Sequence, residues 1–195
     1  MNYQIFRNLK LAGMVALSAL LASCGSETNI TSDSTPPTTT QATRILTQAT
    51  FGPTIDEINH IQTIGTGAWF NEQFSKPQTM HFAYVNQALS TWPADTAVTD
   101  SPFIESFWQQ AINGNDQLRQ RVTFALSQIF VISFQNDTLE TMPRGVASYY
   151  DMLGAQAFGN FRNLLESVTL HPMMGIYLSA LRNQKTVGAR APVKI

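Results

Sequence analysis

The chain has 195 residues, a formal net charge of −1, 13% charged residues and a single cysteine. This length suffices for one domain with a hydrophobic core, and the 44% share of hydrophobic residues is ordinary for a globular protein. No Lys/Arg cluster is present, which argues against binding to nucleic acid. One cysteine also excludes an intramolecular disulfide.

The N-terminus carries an export signal. Two basic residues, Arg7 and Lys10, precede an apolar segment over 11–21, and small residues follow it. This order is typical of a secretory signal peptide over residues 1–23, and the apolar segment falls short of the roughly 20 residues that a membrane-spanning helix needs. The run Leu21-Ala22-Ser23-Cys24 resembles a bacterial lipobox, in which the cysteine thiol is diacylated, the chain is cut before it and the new amine is acylated.

Lipidation of Cys24 predicts attachment to a membrane through acyl chains, because two or more chains give stable anchoring. The protein is then exported and held in the cell envelope, and Gly25 rather than Asp after the cysteine favours the outer membrane. Residues 24–41 are rich in Ser, Thr and Pro, which predicts a disordered tether. Its flexible length is roughly 20–25 Å, and we expect the folded domain to start at Ala42.

The apolar pattern of residues 42–185 predicts an all-α domain, an irregular multi-helix bundle without internal repeats. Thr54 and Glu57 have the spacing of a capping box, and Gly65 marks the end of the helix that follows. Further helices are predicted over 67–74, 80–89, 103–113, 116–134, 145–153, 158–170 and 173–181.

The helix over 116–134 is the strongest of these elements, and we predict that it forms the centre of the core. One face carries an apolar stripe, and further apolar residues widen it so that neighbours are expected on several sides. The stripe consists of Leu118, Val122, Ala125, Leu126, Ile129 and Ser133.

Three histidines, His60, His81 and His171, lack the spacing of a metal site. We therefore expect no bound metal and mostly structural roles for them. Arg119 and Arg121 lie in an apolar helix and are expected to form ion pairs with an acidic residue such as Glu105 or Asp151. Binding of an anion is the alternative role for them.

Arg162 and Glu166 stand four residues apart, which favours a surface ion pair. Tyr149 and Tyr150 are expected in the core. Nucleophile elbows, phosphate-binding loops and dinucleotide motifs are all missing from the sequence, so no cofactor is expected.

Two functions remain open at this point. One is a lipid-anchored module that binds or helps assemble an envelope partner, either a protein or a glycan. The other is an envelope hydrolase with acid–base groups drawn from His171, Glu166, Asp151 and Arg119, in a helical active site that a missing C-terminal part would complete. Convergence of these four side chains in a water-accessible cleft would favour the hydrolase, and separate local pairing would favour the binding module.

Four segments together resemble one bacterial family, the domain of unknown function 1800, and they follow the same order as in that family. The resemblance implies a mainly helical fold and an exported protein of the envelope, and it brings no catalytic residues. The segments are ATRILTQATFGPT (42–54), AWFNEQF (68–74), RQRVTFALSQIFVIS (119–133) and YYDMLGAQAFGNFRNLLESVTLHPMMGIYLSALRNQK (149–185).

The resemblance also implies that the chain corresponds to the N-terminal part of a longer domain. Residues 186–195 show neither a helical stripe nor a cap, and we expect them to be an irregular tail from a truncation or frameshift. A third possibility is therefore a non-functional remnant. A helical array that lacks its continuation leaves apolar faces uncovered, here at Phe161, Leu165, Tyr177 and Leu181.

Overall fold

A computed structural model describes residues 36–180 of the chain. These residues form nine helices and no strand, which confirms the all-α prediction. The signal peptide, Cys24, most of the tether and the tail over 186–195 lie outside the described residues. The helices are α1 Thr39–Ala49, α2 Ile55–Ile64, α3 Thr66–Ser75, α4 His81–Ser90, α5 Ser101–Asn113, α6 Gln117–Ile129, α7 Pro143–Ala155, α8 Phe161–Leu170 and α9 Pro172–Tyr177.

The first helix begins at Thr39, three residues before the expected start of the domain at Ala42. Thr38 and Gln41 form a capping box, in which the Thr38 hydroxyl accepts from the Gln41 backbone N–H and the Gln41 side chain accepts from the Thr38 N–H at 2.8 Å. These bonds satisfy backbone donors that a helix start leaves open. Helix α1 therefore begins within the segment that was predicted to be tether, and its first three residues, 39–41, are all polar.

The predicted capping box at Thr54 is only half formed. The Thr54 hydroxyl accepts from the Glu57 N–H at 3.2 Å and caps α2, whereas the Glu57 carboxylate accepts from the Trp69 indole N–H on α3. Gly65 ends α2 as predicted, with a φ of 84°, and α3 begins at the next residue. The carboxylate thus joins two helices instead of closing its own helix start.

Helix α7, not α6, forms the centre of the core. It packs against α4, α5, α6, α8 and α9, and eight of its residues are buried. Helix α6 ends at Ile129, well before Phe134, and Ile129 itself is 70% exposed. The Tyr149 hydroxyl donates to the Phe130 carbonyl at 2.8 Å, so a side chain from α7 takes up a carbonyl just where α6 stops.

Three hydrophobic clusters make up the core of the described residues. The first joins α1, α2 and α3 around Trp69, the second joins α4, α5 and α7 around Phe103 and Tyr150, and the third joins α7, α8 and α9 around Leu153 and Leu164. Helix α6 contributes Leu118 to the first cluster and packs along α7. Within residues 36–180 no helix is both long and apolar enough to cross a bilayer.

Candidate functional site

The polar centre of the domain is the imidazole of His81, the first residue of α4, which is fully buried. Its Nδ1 lies 2.9 Å from the Ser106 hydroxyl on α5, and its Nε2 lies 3.0 Å from Gln120 Oε1 on α6. The amide nitrogen of Gln120 donates to the Thr79 carbonyl and to Asp116. With the amide oriented this way, Gln120 Oε1 accepts from Nε2 of His81.

Asp116 is the last member of this hydrogen-bond network. One carboxylate oxygen accepts from Gln120 Nε2 and from the Thr79 backbone N–H, both at 3.0 Å. The second oxygen is buried and has no hydrogen-bond partner within the described residues. Asp116 thereby ties the segment before α4 to the start of α6.

The order Ser106–His81–Gln120 is that of a nucleophile, a base and an orienting group. However, Ser106 and His81 both have 0% exposure, so no substrate can reach the serine hydroxyl in this conformation. Tyr150 stacks edge-on against the imidazole with ring centroids 5.0 Å apart and closes this side. The arrangement acts as a polar crosslink of α4, α5 and α6.

Asp151, one of the four candidate catalytic residues, is buried on α7 and caps α4. Its two oxygens accept from the His81 N–H at 2.8 Å and the Phe82 N–H at 2.9 Å. Burial raises the pKa of the Asp151 carboxyl, while these two backbone N–H groups oppose that rise. Because a carboxylate also suits the positive end of a helix dipole, the role that this geometry gives Asp151 is a helix cap.

Arg119, the second candidate, reaches α7 without forming the expected ion pair. Its guanidinium donates to the Gly154 carbonyl at 3.1 Å and lies 4.5 Å above the Phe158 ring. The half-buried guanidinium therefore donates to a backbone carbonyl and not to Glu105 or Asp151. Gly154 also permits the close approach of Gln78, since a Cβ at Gly154 would come within 2.4 Å of the Gln78 amide nitrogen.

Of the remaining two candidates, Glu166 lies on α8 and His171 follows the end of that helix. His171 joins α8 to α9, where its Nδ1 accepts from the Met173 N–H at 3.2 Å and its ring packs edge-on against Tyr149. Burial lowers the pKa of His171. Glu166 is exposed, and within residues 36–180 no ion pair joins it to Arg162, so the expected surface pair is not formed.

No hydrogen bond or ion pair within the described residues joins any two of the four candidates. The polar residues that do come together are His81, Ser106, Gln120 and Asp116. His81 is 25 residues from Ser106 and 39 residues from Gln120 in the sequence. No local spacing signals such a cluster, and only the polar residues inside otherwise apolar helices hint at it.

A groove of about 500 Å³ opens between the end of α6, α8 and α9. Its walls are mostly apolar, and several of their side chains are open to solvent, including Ile129 and Leu178 at 70% and 67% exposure. We call this surface the α8–α9 groove. Its lining residues are Ile129, Phe130, Val131, Val168, Thr169, Met174, Gly175, Leu178 and Ala180.

The apolar surface continues beyond the groove along α8. Phe161 and Leu165 are 66% and 46% exposed, as predicted. Tyr177, which was also expected to be uncovered, is half-buried against the third cluster, and Leu181 lies outside the described residues. The Phe161 ring lies 6.4 Å from Phe130, which lines the groove. The part of the chain that the structure describes holds no group of three or more His, Cys, Asp or Glu residues placed to bind a metal ion.

Comparison with family models identifies one match, to the family described as "Protein of unknown function (DUF1800)", over residues 44–187. The match covers most of the chain, and the protein therefore belongs to this family, as its sequence segments predict. No curated protein and no solved structure matches the chain.

The Asp151 cap predicts a large loss of stability in Asp151→Ala. The substitution leaves two backbone N–H groups at the start of α4 without their acceptor, and we expect the free energy of unfolding to fall by about 2–4 kcal/mol. Urea unfolding measures the change. Asp137→Ala, at an exposed aspartate, is the matched control and should change little. Equal stability of the two variants would contradict the cap.

The lowered pKa of His171 predicts a pH dependence of stability. Because the unfolded chain takes up a proton near the ordinary histidine pKa of about 6.5 and the folded chain only at lower pH, acid favours unfolding. We expect the free energy of unfolding to decrease as the pH falls from neutrality through this range. His171→Asn keeps a side-chain acceptor for the Met173 N–H without titrating, and should flatten the curve. Identical curves for the parent and His171→Asn would rule out this contribution.

Proposed function

We propose that this chain is an exported, lipid-anchored envelope protein whose helical domain binds a partner protein through the α8–α9 groove. The observation that carries the proposal is the groove itself together with the uncovered row of Phe161 and Leu165. Contiguous exposed apolar surface is typical of sites of protein interaction, and such side chains lose contact with water when a partner covers them.

The location in the envelope rests on the N-terminal sequence. A short apolar segment after Arg7 and Lys10 leads to Leu21-Ala22-Ser23-Cys24, which has the pattern of a lipoprotein signal. Acyl chains on Cys24 would hold the domain at a membrane, because two chains suffice for stable anchoring.

The contacts of the four candidate catalytic residues favour binding over hydrolysis. Asp151 caps α4, Arg119 binds the Gly154 carbonyl, and His171 caps α9, so three of the candidates already have local partners. Glu166 faces solvent on α8. A hydrolase needs an acid and a base that reach the same substrate atom, and these three contacts and the exposed Glu166 do not bring such groups together.

The lipid anchor predicts that Cys24→Ser moves the protein out of the membrane fraction. Cell fractionation should find the parent with the membranes and the variant in the soluble fraction, and mass spectrometry should find acyl groups on the parent alone. Ser26→Ala, two residues away, is the control and should behave as the parent does. Recovery of both chains in the membrane fraction, without acyl mass on either, would disprove the anchor.

Binding through the groove predicts specific cross-linking in cells. A photoreactive amino acid at position 165, on the exposed row beside the groove, should capture a defined protein, and Leu178→Asp in the groove should reduce this capture by at least about tenfold, as expected for a buried apolar contact.

Ile112→Asp is the matched control, because Ile112 is an equally exposed apolar residue on α5 at 73% exposure. Its capture yield should equal that of the parent. Both aspartate variants should unfold at the parent's temperature, since neither removes a core residue. The binding proposal fails if capture at position 165 is absent, or if it is equally strong in Leu178→Asp.

A further inference from the structure

We infer that the partner bound at this surface is a second copy of the chain, with the two α8 helices paired antiparallel about a two-fold axis. The inference rests on the proposed function, because it names the partner of the same surface. Closed two-fold dimers present the same patch on both subunits, so the patch must complement itself. The residues of α8 meet this condition in both their apolar contacts and their charges.

The apolar part of the patch is a row along α8. Phe161 and Leu165 lie one turn apart and are exposed, whereas Leu164 and Val168 of the same helix are buried against the domain's own core. Thr169 continues the row by another turn. Its hydroxyl donates to the Leu165 carbonyl at 2.7 Å, which leaves its methyl group available for packing.

The charges lie along one flank of this row. Arg162 and Glu166 are both exposed and about 6 Å apart along the helix axis, and neither forms an ion pair within residues 36–180. In an antiparallel pair, each flank faces the same flank of the other helix in reverse order. Arg162 of one copy then meets Glu166 of the other, and the two-fold axis repeats this pair.

The pairing direction follows from the same two residues. In a parallel two-fold pair, each flank would face the opposite flank of the other helix, so Arg162 and Glu166, the only charged residues of α8, would not meet across the seam. Charged residues that flank an apolar seam set orientation in paired helices in this way. Antiparallel pairing is therefore the direction that α8 favours.

A second exposed apolar row, on α5, lacks flanking charges of opposite sign. Ile104, Trp108 and Ile112 are all open to solvent at helical spacing. However, Glu105 is the only charged residue of α5, so a two-fold pair of these helices has no opposite charges to match. The α8 row is thus better suited to self-association.

The size of a stable interface brings the groove into the dimer. Helix α8 has ten residues and is only about 15 Å long and 10 Å wide. A typical specific interface covers about 800 Å² on each partner, which is more than one such helix face. The groove is continuous with the α8 row through Phe130, so its walls supply the remaining contact.

Sedimentation equilibrium of the full-length chain carrying Cys24→Ser, which removes the acyl anchor, tests the inference. We expect a monomer–dimer equilibrium. Arg162→Glu and Glu166→Arg should each raise the dimer dissociation constant by about tenfold, because each places two like-charge contacts in the interface. The double variant Arg162→Glu/Glu166→Arg should restore the parent's constant.

Leu165→Asp should abolish the dimer, and Ile112→Asp on α5 should leave it unchanged. Circular dichroism checks that both variants keep their helices. A parent chain that stays monomeric, or a dimer that neither charge reversal weakens, would overturn the inference. A double variant as weak as the single ones would overturn it as well.

These results separate the inference from the proposed function. Capture of a different protein at position 165, lost in Leu178→Asp, together with a monomeric chain would disprove the second copy and leave the binding function standing. A monomeric chain that captures no protein at this position would disprove both.

Discussion

The start of α4 is the point on which the packing of this domain depends. Met80 precedes the helix and offers no side-chain cap, so its first backbone N–H groups need acceptors from elsewhere. Asp151 supplies them from α7, 70 residues further along the chain from His81. A buried carboxylate in contact with two N–H groups fixes both the position and the angle at which α4 meets α7.

The polar network of His81 extends this constraint to α5 and α6. Ser106 and Gln120 form hydrogen bonds with the two ring nitrogens of His81. Asp116 accepts from Gln120 and from the Thr79 N–H in the segment before α4. A buried polar group without a partner costs free energy, so alternative packings that separate these residues are disfavoured. The network therefore specifies one arrangement of four short helices in a domain without disulfides.

This use of polar residues bears on function. Side chains of the types of Asp151, His81 and Ser106 often serve in catalysis. In this domain they form hydrogen bonds that join helices to one another. The surface that stays open is apolar and lies at the other side of α7, on α8 and α9. This is the surface through which we propose that the domain binds a protein.

The sequence by itself determined the helical class, the family and most helix positions, because caps such as Thr54 and stops such as Gly65 act over a few residues. It also predicted that Phe161 and Leu165 are exposed. The prediction that α6 forms the centre of the core was wrong. The apolar pattern of one helix does not show how many other helices pack against it, and α7 has more neighbouring helices than α6. The partners of Asp151 and Arg119 were likewise decided only by the tertiary structure, because hydrogen bonds between distant residues depend on how the helices pack and leave no periodic pattern in the sequence.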